Sequence, residues 1–162
     1  MTARAHPAAA GTAREEGGEA AVRAFFAAYR AHDVERMVDL CTDNAGFRYV
    51  PFEVWGRQRV LYGEGKVRTV GKVIWTTLLD AFPDLACVVT SLRADGEGNV
   101  AAEVGIGGTQ AKDFGSVASA GGHYELPHLF LFSVSGDGLI DHVVAYWDNA
   151  GWKKQLGCLE VD

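Results

Sequence analysis

Residues 123–148 read HYELPHLFLFSVSGDGLIDHVVAYWD, two runs rich in Val, Leu, Phe and Tyr joined by Ser135-Gly136-Asp137-Gly138. β-Branched and aromatic residues favour strands and the Gly-rich tetrapeptide favours a turn, so His123 to Val134 and Leu139 to Asp148 are predicted to pair antiparallel. The preceding stretch repeats the arrangement. Leu85 to Arg93 and Val100 to Gln110 flank Asp95-Gly96-Glu97-Gly98-Asn99, and the Gly/Ser/Ala segment 111–122 is expected to be a mobile connector between the two pairs.

Upstream the period changes from two to three or four. Val67, Val70, Ile74, Leu78 and Phe82 keep to one side of a long helix that Pro83 stops, because proline cannot donate to the helical ladder. Val22, Phe25, Phe26 and Tyr29 form the stripe of an earlier amphipathic helix. Asp33 is placed to cap a second one, with Val34, Met37, Val38 and Cys41 in its apolar positions and Asp43-Asn44 ending it. Phe47 and Tyr49 mark a short strand interrupted by Pro51, followed by a loop with Gly56, Gly63 and Gly65, and Gly151 to Gly157 form a terminal helical turn. Helices early and strands late define an α+β fold rather than βαβ alternation. A curved antiparallel sheet wrapped around the N-terminal helices leaves a cone-shaped pocket for the chain's many aromatics.

The chain has 162 residues, 48% of them hydrophobic, enough for one core without disulfide or metal staples. Residues 1–18 combine Ala, Thr, charges and Gly17-Gly18 without periodicity, so they are expected to be a disordered, dispensable arm before a single domain over 19–162. Fifteen Lys and Arg against 21 Asp and Glu give a net charge of -6, which disfavours a nucleic-acid partner. No apolar run reaches the roughly 20 residues of a membrane span and none reads as a signal peptide, so a cytoplasmic protein with no membrane partner is expected. Cys41, Cys87 and Cys158 lack CxxC spacing and read as passive thiols. No histidine pair has metal-ligand spacing, and neither Gly63-Glu64-Gly65-Lys66 nor Gly105-Ile106-Gly107-Gly108 has a nucleotide-binding pattern, so no cofactor and no metal are expected.

Val144, Tyr146 and Asp148 alternate onto one face of the last strand. If that face lines the pocket, desolvation raises the pKa of Asp148 and fits it for general acid/base work; the same carboxylate is also placed to cap the turn over 149–156 in solvent. His128 shares a face with Tyr124, Phe130 and Phe132, where it either orients Asp148 and donates to an oxyanion or is a plain core histidine. His123 and His142 carry less functional weight, and His6 and His32 read as solvated. Parity with Asp148 selects Tyr146 over Trp147 for the pocket. Gln110, at a strand end, is a candidate donor to a substrate carbonyl or a surface residue. Trp75, Phe26, Tyr29, Phe82 and Tyr124 are candidate aromatic walls, though plain packing gives the same spacing. Arg57, Arg59 and Lys66 flank the Gly-rich loop, either attracting an anion or forming a solvated face.

Ala81-Phe82-Pro83-Asp84-Leu85, Gly108-Thr109-Gln110 followed by Phe114-Gly115, Asp137-Gly138-Leu139-Ile140, and Tyr146-Trp147-Asp148 before Gln155-Leu156-Gly157 together resemble the SnoaL-like polyketide cyclases of the nuclear transport factor two-like superfamily, over about residues 20–157. The resemblance implies the α+β cone and a small, cofactor-free, often dimeric enzyme that closes a ring in a polyketide precursor by intramolecular aldol chemistry. It also implies that Asp148 is the acid/base aspartate. Gln110 departs from the family's frequent Gly-Thr-His, and Ser116 to Gly122 lacks its Pro-Thr-Gly character. Two other readings keep the fold. One is epoxide opening, which wants a second acid from Asp33, Asp39, Glu53 or Asp80. The other is a non-catalytic ligand-binding or dimerising module, which a pocket without a perturbed carboxylate favours. The expected partners are a small hydrophobic, polyketide-derived substrate and a second copy of the chain, since both parities of the last two strands are apolar.

Overall fold

A computed structural model describes the backbone of residues 7–50, 53–55, 59–61, 63–115 and 117–158, with side chains from residue 11 on except those of 53–61. His6, Pro51, Gly56 and Arg57, and the side chains of Glu53 and Arg59, lie outside the described residues. The chain runs α1 (Pro7–Arg30), α2 (Val34–Asp39), β1 (Cys41–Val50), β2 (Glu53–Trp55), β3 (Arg59–Leu61), β4 (Glu64–Lys66), a π-helical turn (Val67–Gly71), α3 (Lys72–Ala81), β5 (Ala86–Ala94), β6 (Asn99–Thr109), β7 (His123–Val134), β8 (Ile140–Trp147) and α4 (Asn149–Gln155). Six strands form one curved, unclosed sheet in the order β4-β1-β8-β7-β6-β5, and β2-β3 is a separate hairpin. The fold is the α+β architecture expected. Every neighbouring pair in the large sheet is antiparallel except β1 and β8, which are parallel because β1 enters after the helical hairpin rather than through a tight turn.

Asp33 caps α2 by accepting from Arg36 N at 2.9 Å. That helix is shorter than its apolar spacing predicts. Cys41 already pairs with Ile140, and the register then slips before Gly46 meets His142, so Asp43 and Asn44 sit on a bulge inside β1 instead of ending a helix.

The predicted disordered arm is corrected from Pro7 onward, where the chain is already α1. Gly18 is buried, and a Cβ there would lie 3.1 Å from Val100 Cγ2. Gly18 meets the sheet there while Arg14 and Glu15 lie against Gly98 and Gly96 of the turn over 95–99, so the contact carries no apolar stripe and periodicity does not reveal it.

The long helix also divides. Its core side runs Val67, Gly71, Trp75, Leu79 and Phe82, while Val70, Ile74 and Leu78 are half-buried and face the cavity described below. The π-helical turn inserts into the ladder and rotates the face that follows it. Gly71 permits the close approach: a Cβ would stand 3.2 Å from the Phe47 ring.

The core lies between α1, α3 and the concave face of the sheet. Phe25, Phe26, Phe130, Phe132 and Trp75 meet edge to face or stacked, with ring centroids 5.2–6.0 Å apart. Each fully buried ring contributes on the order of 2–3 kcal/mol of apolar burial. A second aromatic group, Phe82, Phe114, Tyr124 and Trp152, closes the other end beneath α4. Cys41 and Cys87 are free and buried, and burial raises both thiols to about 12, consistent with passive packing. Among the described residues no helix is long and apolar enough to cross a membrane.

Candidate functional site

A cavity of about 1100 Å³ opens between the sheet and the helix that starts at Val67. Its deep end is made by the buried Tyr29, Ile106 and Tyr124, and its mouth by the exposed Arg68, Thr69, Val73 and Thr77. His128, Tyr49, Trp147 and Trp152 line it between these ends.

His128 is the titratable group that stands out. It lies opposite Trp147 across the β7–β8 ladder, and their rings stack at 5.8 Å and 8°. His128 Nδ1 is 3.1 Å from the Leu126 carbonyl. A carbonyl only accepts, so Nδ1 carries the proton and Nε2 keeps its lone pair. Burial lowers the His128 pKa to about 4, partly opposed by the Leu126 hydrogen bond, so the ring is a neutral acceptor at ordinary pH.

Around it stand donors. Burial pushes the phenols of Tyr29 and Tyr124 well above their usual range and Tyr49 to about 12, so all three stay protonated. Trp75 Nε1 donates to Tyr49 Oη at 2.9 Å, which leaves the Tyr49 O–H free to donate onward. Among the described residues, Tyr29 Oη, beside the Tyr49 phenol, and Trp147 Nε1 are buried without a well-formed hydrogen bond. A buried indole N–H can only donate, so an oxygen-bearing ligand would relieve a cost of about 1–3 kcal/mol.

Of the site residues expected from sequence, the cavity brings together His128, Tyr29 and Tyr124. Asp148 is corrected: it is exposed and caps α4, accepting from Gly151 N at 2.8 Å, because the strand ends at Trp147 and the carboxylate turns to the first amides of the helix. Tyr146 is corrected with it, being 42% exposed on the convex face while Val143 and Ala145 point inward with Trp147. Phe26, Trp75 and Phe82 pack in the core rather than the cavity wall, and Trp75 acts there only through Tyr49. Gln110 is buried away from the cavity, where its Nε2 donates to Val117 O at 3.0 Å and its backbone carbonyl accepts from Ser119 Oγ at 3.0 Å, tying down the 111–122 connector.

Tyr49, Trp147, Trp152 and Ile106 were missed. Register is what hid Trp147: a four-residue turn over 135–138 alone pairs Val134 with Leu139 and His128 with Ala145, and the shift between Ser133 and Val134 brings Trp147 opposite His128 instead. Asp148→Asn keeps the capping oxygen, so stability in urea is expected to stay within about 0.5 kcal/mol of wild type. Turnover is expected to be unchanged. A base in the reaction would lose at least about 100-fold on that substitution.

The family model of the SnoaL-like domain matches residues 22–143. The chain belongs to the SnoaL-like family. The family sits within the nuclear transport factor two-like superfamily, and solved relatives share this fold. A candidate SnoaL-like polyketide cyclase from Jannaschia sp. CCS1 is 17% identical, with a TM-score of 0.70 over 98% of this chain and 100% of that one. IdmH from Streptomyces antibioticus, a candidate polyketide cyclase, is 22% identical with a TM-score of 0.70 over 86% and 98%. An LEH-like epoxide hydrolase of M. tuberculosis is 18% identical with a TM-score of 0.61 over 88% and 90%. At these identities the SnoaL-like likeness is one of fold. No curated protein matches the sequence.

Proposed function

We propose that this SnoaL-like protein is a cofactor-independent cyclase that closes a ring in an oxygen-rich, largely apolar polyketide-type chain, with His128 as the acid/base group. The reading is carried by one observation: His128, its Nδ1 proton committed to Leu126, presents a neutral imidazole in the wall of a large cavity ringed by protonated phenols. The expected aspartate base gives way to it, since Asp148 is engaged at the helix cap.

A base this weak suits an acidic carbon, the CH2 between two carbonyls. His128 Nε2 takes one of its protons, and the electron pair moves into an enolate whose oxygen is held by phenol or indole donors. The enolate carbon attacks a second carbonyl of the same chain, forming the ring bond, and the imidazolium returns the proton to the new alkoxide. No atom is gained or lost. The cavity folds the chain so that the reacting carbons meet, which supplies much of the rate. The test is incubation of the protein with a poly-β-ketone thioester, followed by chromatography for a cyclised product of unchanged mass. No carboxylate lines the cavity among the described residues, which favours the ligand-binding module as the competing reading, and binding without acceleration would mark it.

Epoxide opening is a second reading, favoured by the phenols. His128 would take the proton of an attacking hydroxyl while a tyrosine O–H protonates the epoxide oxygen. An epoxy-alcohol substrate separates it from the first.

Assembly as a homodimer is part of the proposal. Val88, Leu129, Leu131 and Tyr146 are exposed on the convex face of the sheet, with Leu129 directly opposite Tyr146 in the ladder. Sedimentation is expected to give a dimer at micromolar concentration that Leu129→Lys/Leu131→Lys converts to a monomer.

A further inference from the structure

We infer that the mouth of the cavity is an anion subsite in which Arg68 and Lys72 hold a carboxylate at the exposed end of the ligand. The inference rests on the reading of the cavity as the site of an oxygenated polyketide-type ligand and adds the charge that ligand carries.

Arg68 lies on the π-helical turn and Lys72 opens α3, four residues on, and both line the cavity. Among the described residues no Asp or Glu lines it, in a chain whose net charge is -6. Among the described lining residues, Arg68 and Lys72 stand with Thr69, Thr76 and Thr77 at the opening of a largely apolar and phenolic space. Each cation is held from outside: Arg68 by Asp43 on the β1 bulge and Lys72 by Glu35 on α2, at 2.6 Å for the latter pair. These carboxylates are 85% and 71% exposed, so the pairs orient the cations at little energetic depth. Each pair engages one nitrogen of the cation, and a guanidinium has five N–H groups and an ammonium three, which leaves donors for a ligand. Trp147 Nε1 supplies the complementary observation farther in, since this buried indole N–H has no acceptor among the described residues and can only donate to a ligand oxygen. Within a Debye length of about 8 Å Asp43 and Glu35 offset part of the field of Arg68 and Lys72, so the hold on an anion at the mouth comes from short contacts to their remaining N–H donors rather than from a net positive field.

The test is calorimetric binding of anthraquinone-2-carboxylate and neutral anthraquinone-2-carboxamide to the full chain at 50 and 500 mM NaCl. At low salt the carboxylate is expected to bind about five- to tenfold tighter, the scale of two partly exposed ion pairs. The advantage should vanish at high salt and in Arg68→Gln/Lys72→Gln, which keeps the wild-type affinity for the carboxamide. Asp43→Asn/Glu35→Gln should enlarge it. Equal affinity of the two probes for the wild type, or a preference that survives Arg68→Gln/Lys72→Gln, overturns the anion subsite and leaves the cavity reading standing. Binding of neither probe removes the cavity reading and the subsite with it.

Discussion

His128→Gln is expected to lower the rate of ring closure at least about 100-fold, the lower end of what a positioned general base contributes, while circular dichroism shows the fold retained. Glutamine can still donate to the Leu126 carbonyl but cannot take a proton from carbon and return it to an alkoxide. The wild-type profile carries a second signature. With the His128 pKa lowered to about 4 by burial, kcat/KM should be level across neutral pH and fall only as pH drops through about 4, where the imidazole protonates. A residual rate equal to wild type, or an acid limb unchanged in a partly active variant, would take His128 out of the reaction. Tyr49→Phe should separate the donors from the base, lowering kcat while leaving that acid limb in place.

The same histidine should set much of the acid stability. Its folded pKa of about 4 lies below the unfolded value of 6.5, so between these limits the unfolded chain binds a proton that the native protein refuses. Stability from the neutral ring is complete above pH 6.5 and is lost as pH falls toward 4. A shift of that size corresponds to about 3 kcal/mol. Urea melts at pH 7.5, 5.5 and 4 should show the wild type losing about that much more than His128→Gln over the window. Parallel losses in both proteins would mean that His128 titrates in the fold as it does in the unfolded chain.

Much of the fold was legible because its signals are local. The stripe Val22, Phe25, Phe26 and Tyr29, the cap at Asp33, the stop at Pro83 and the turns at 95–99 and 135–138 each depend on neighbours in sequence, and each element appears near its predicted place. What sequence reading lost has the opposite character. The start of the first helix meets the sheet through Gly18 and the polar side chains of Arg14 and Glu15, and the exact core stripe of the third helix rests on one π-helical turn. Neither leaves a periodic trace.

The site divides along the same line. His128 and Tyr124 were found because β7 alternates cleanly between buried and open positions. Asp148 and Tyr146 were misplaced because β8 is apolar on both faces, so its own pattern has no preferred side, and only the pairing of His128 with Trp147 across the ladder decides which residues enter the cavity. The sequence by itself determined the α+β class, the helices, the strand order through the late hairpins and the candidacy of His128. Tertiary structure alone decided that Asp148 caps a helix, that Tyr49 and Trp147 join the histidine, and that Arg68 and Lys72 stand at the mouth. Those placements depend on register, a bulge and a helical rotation, each of which moves a side chain to another face at almost no cost in local energy, so that only the packed core selects among them.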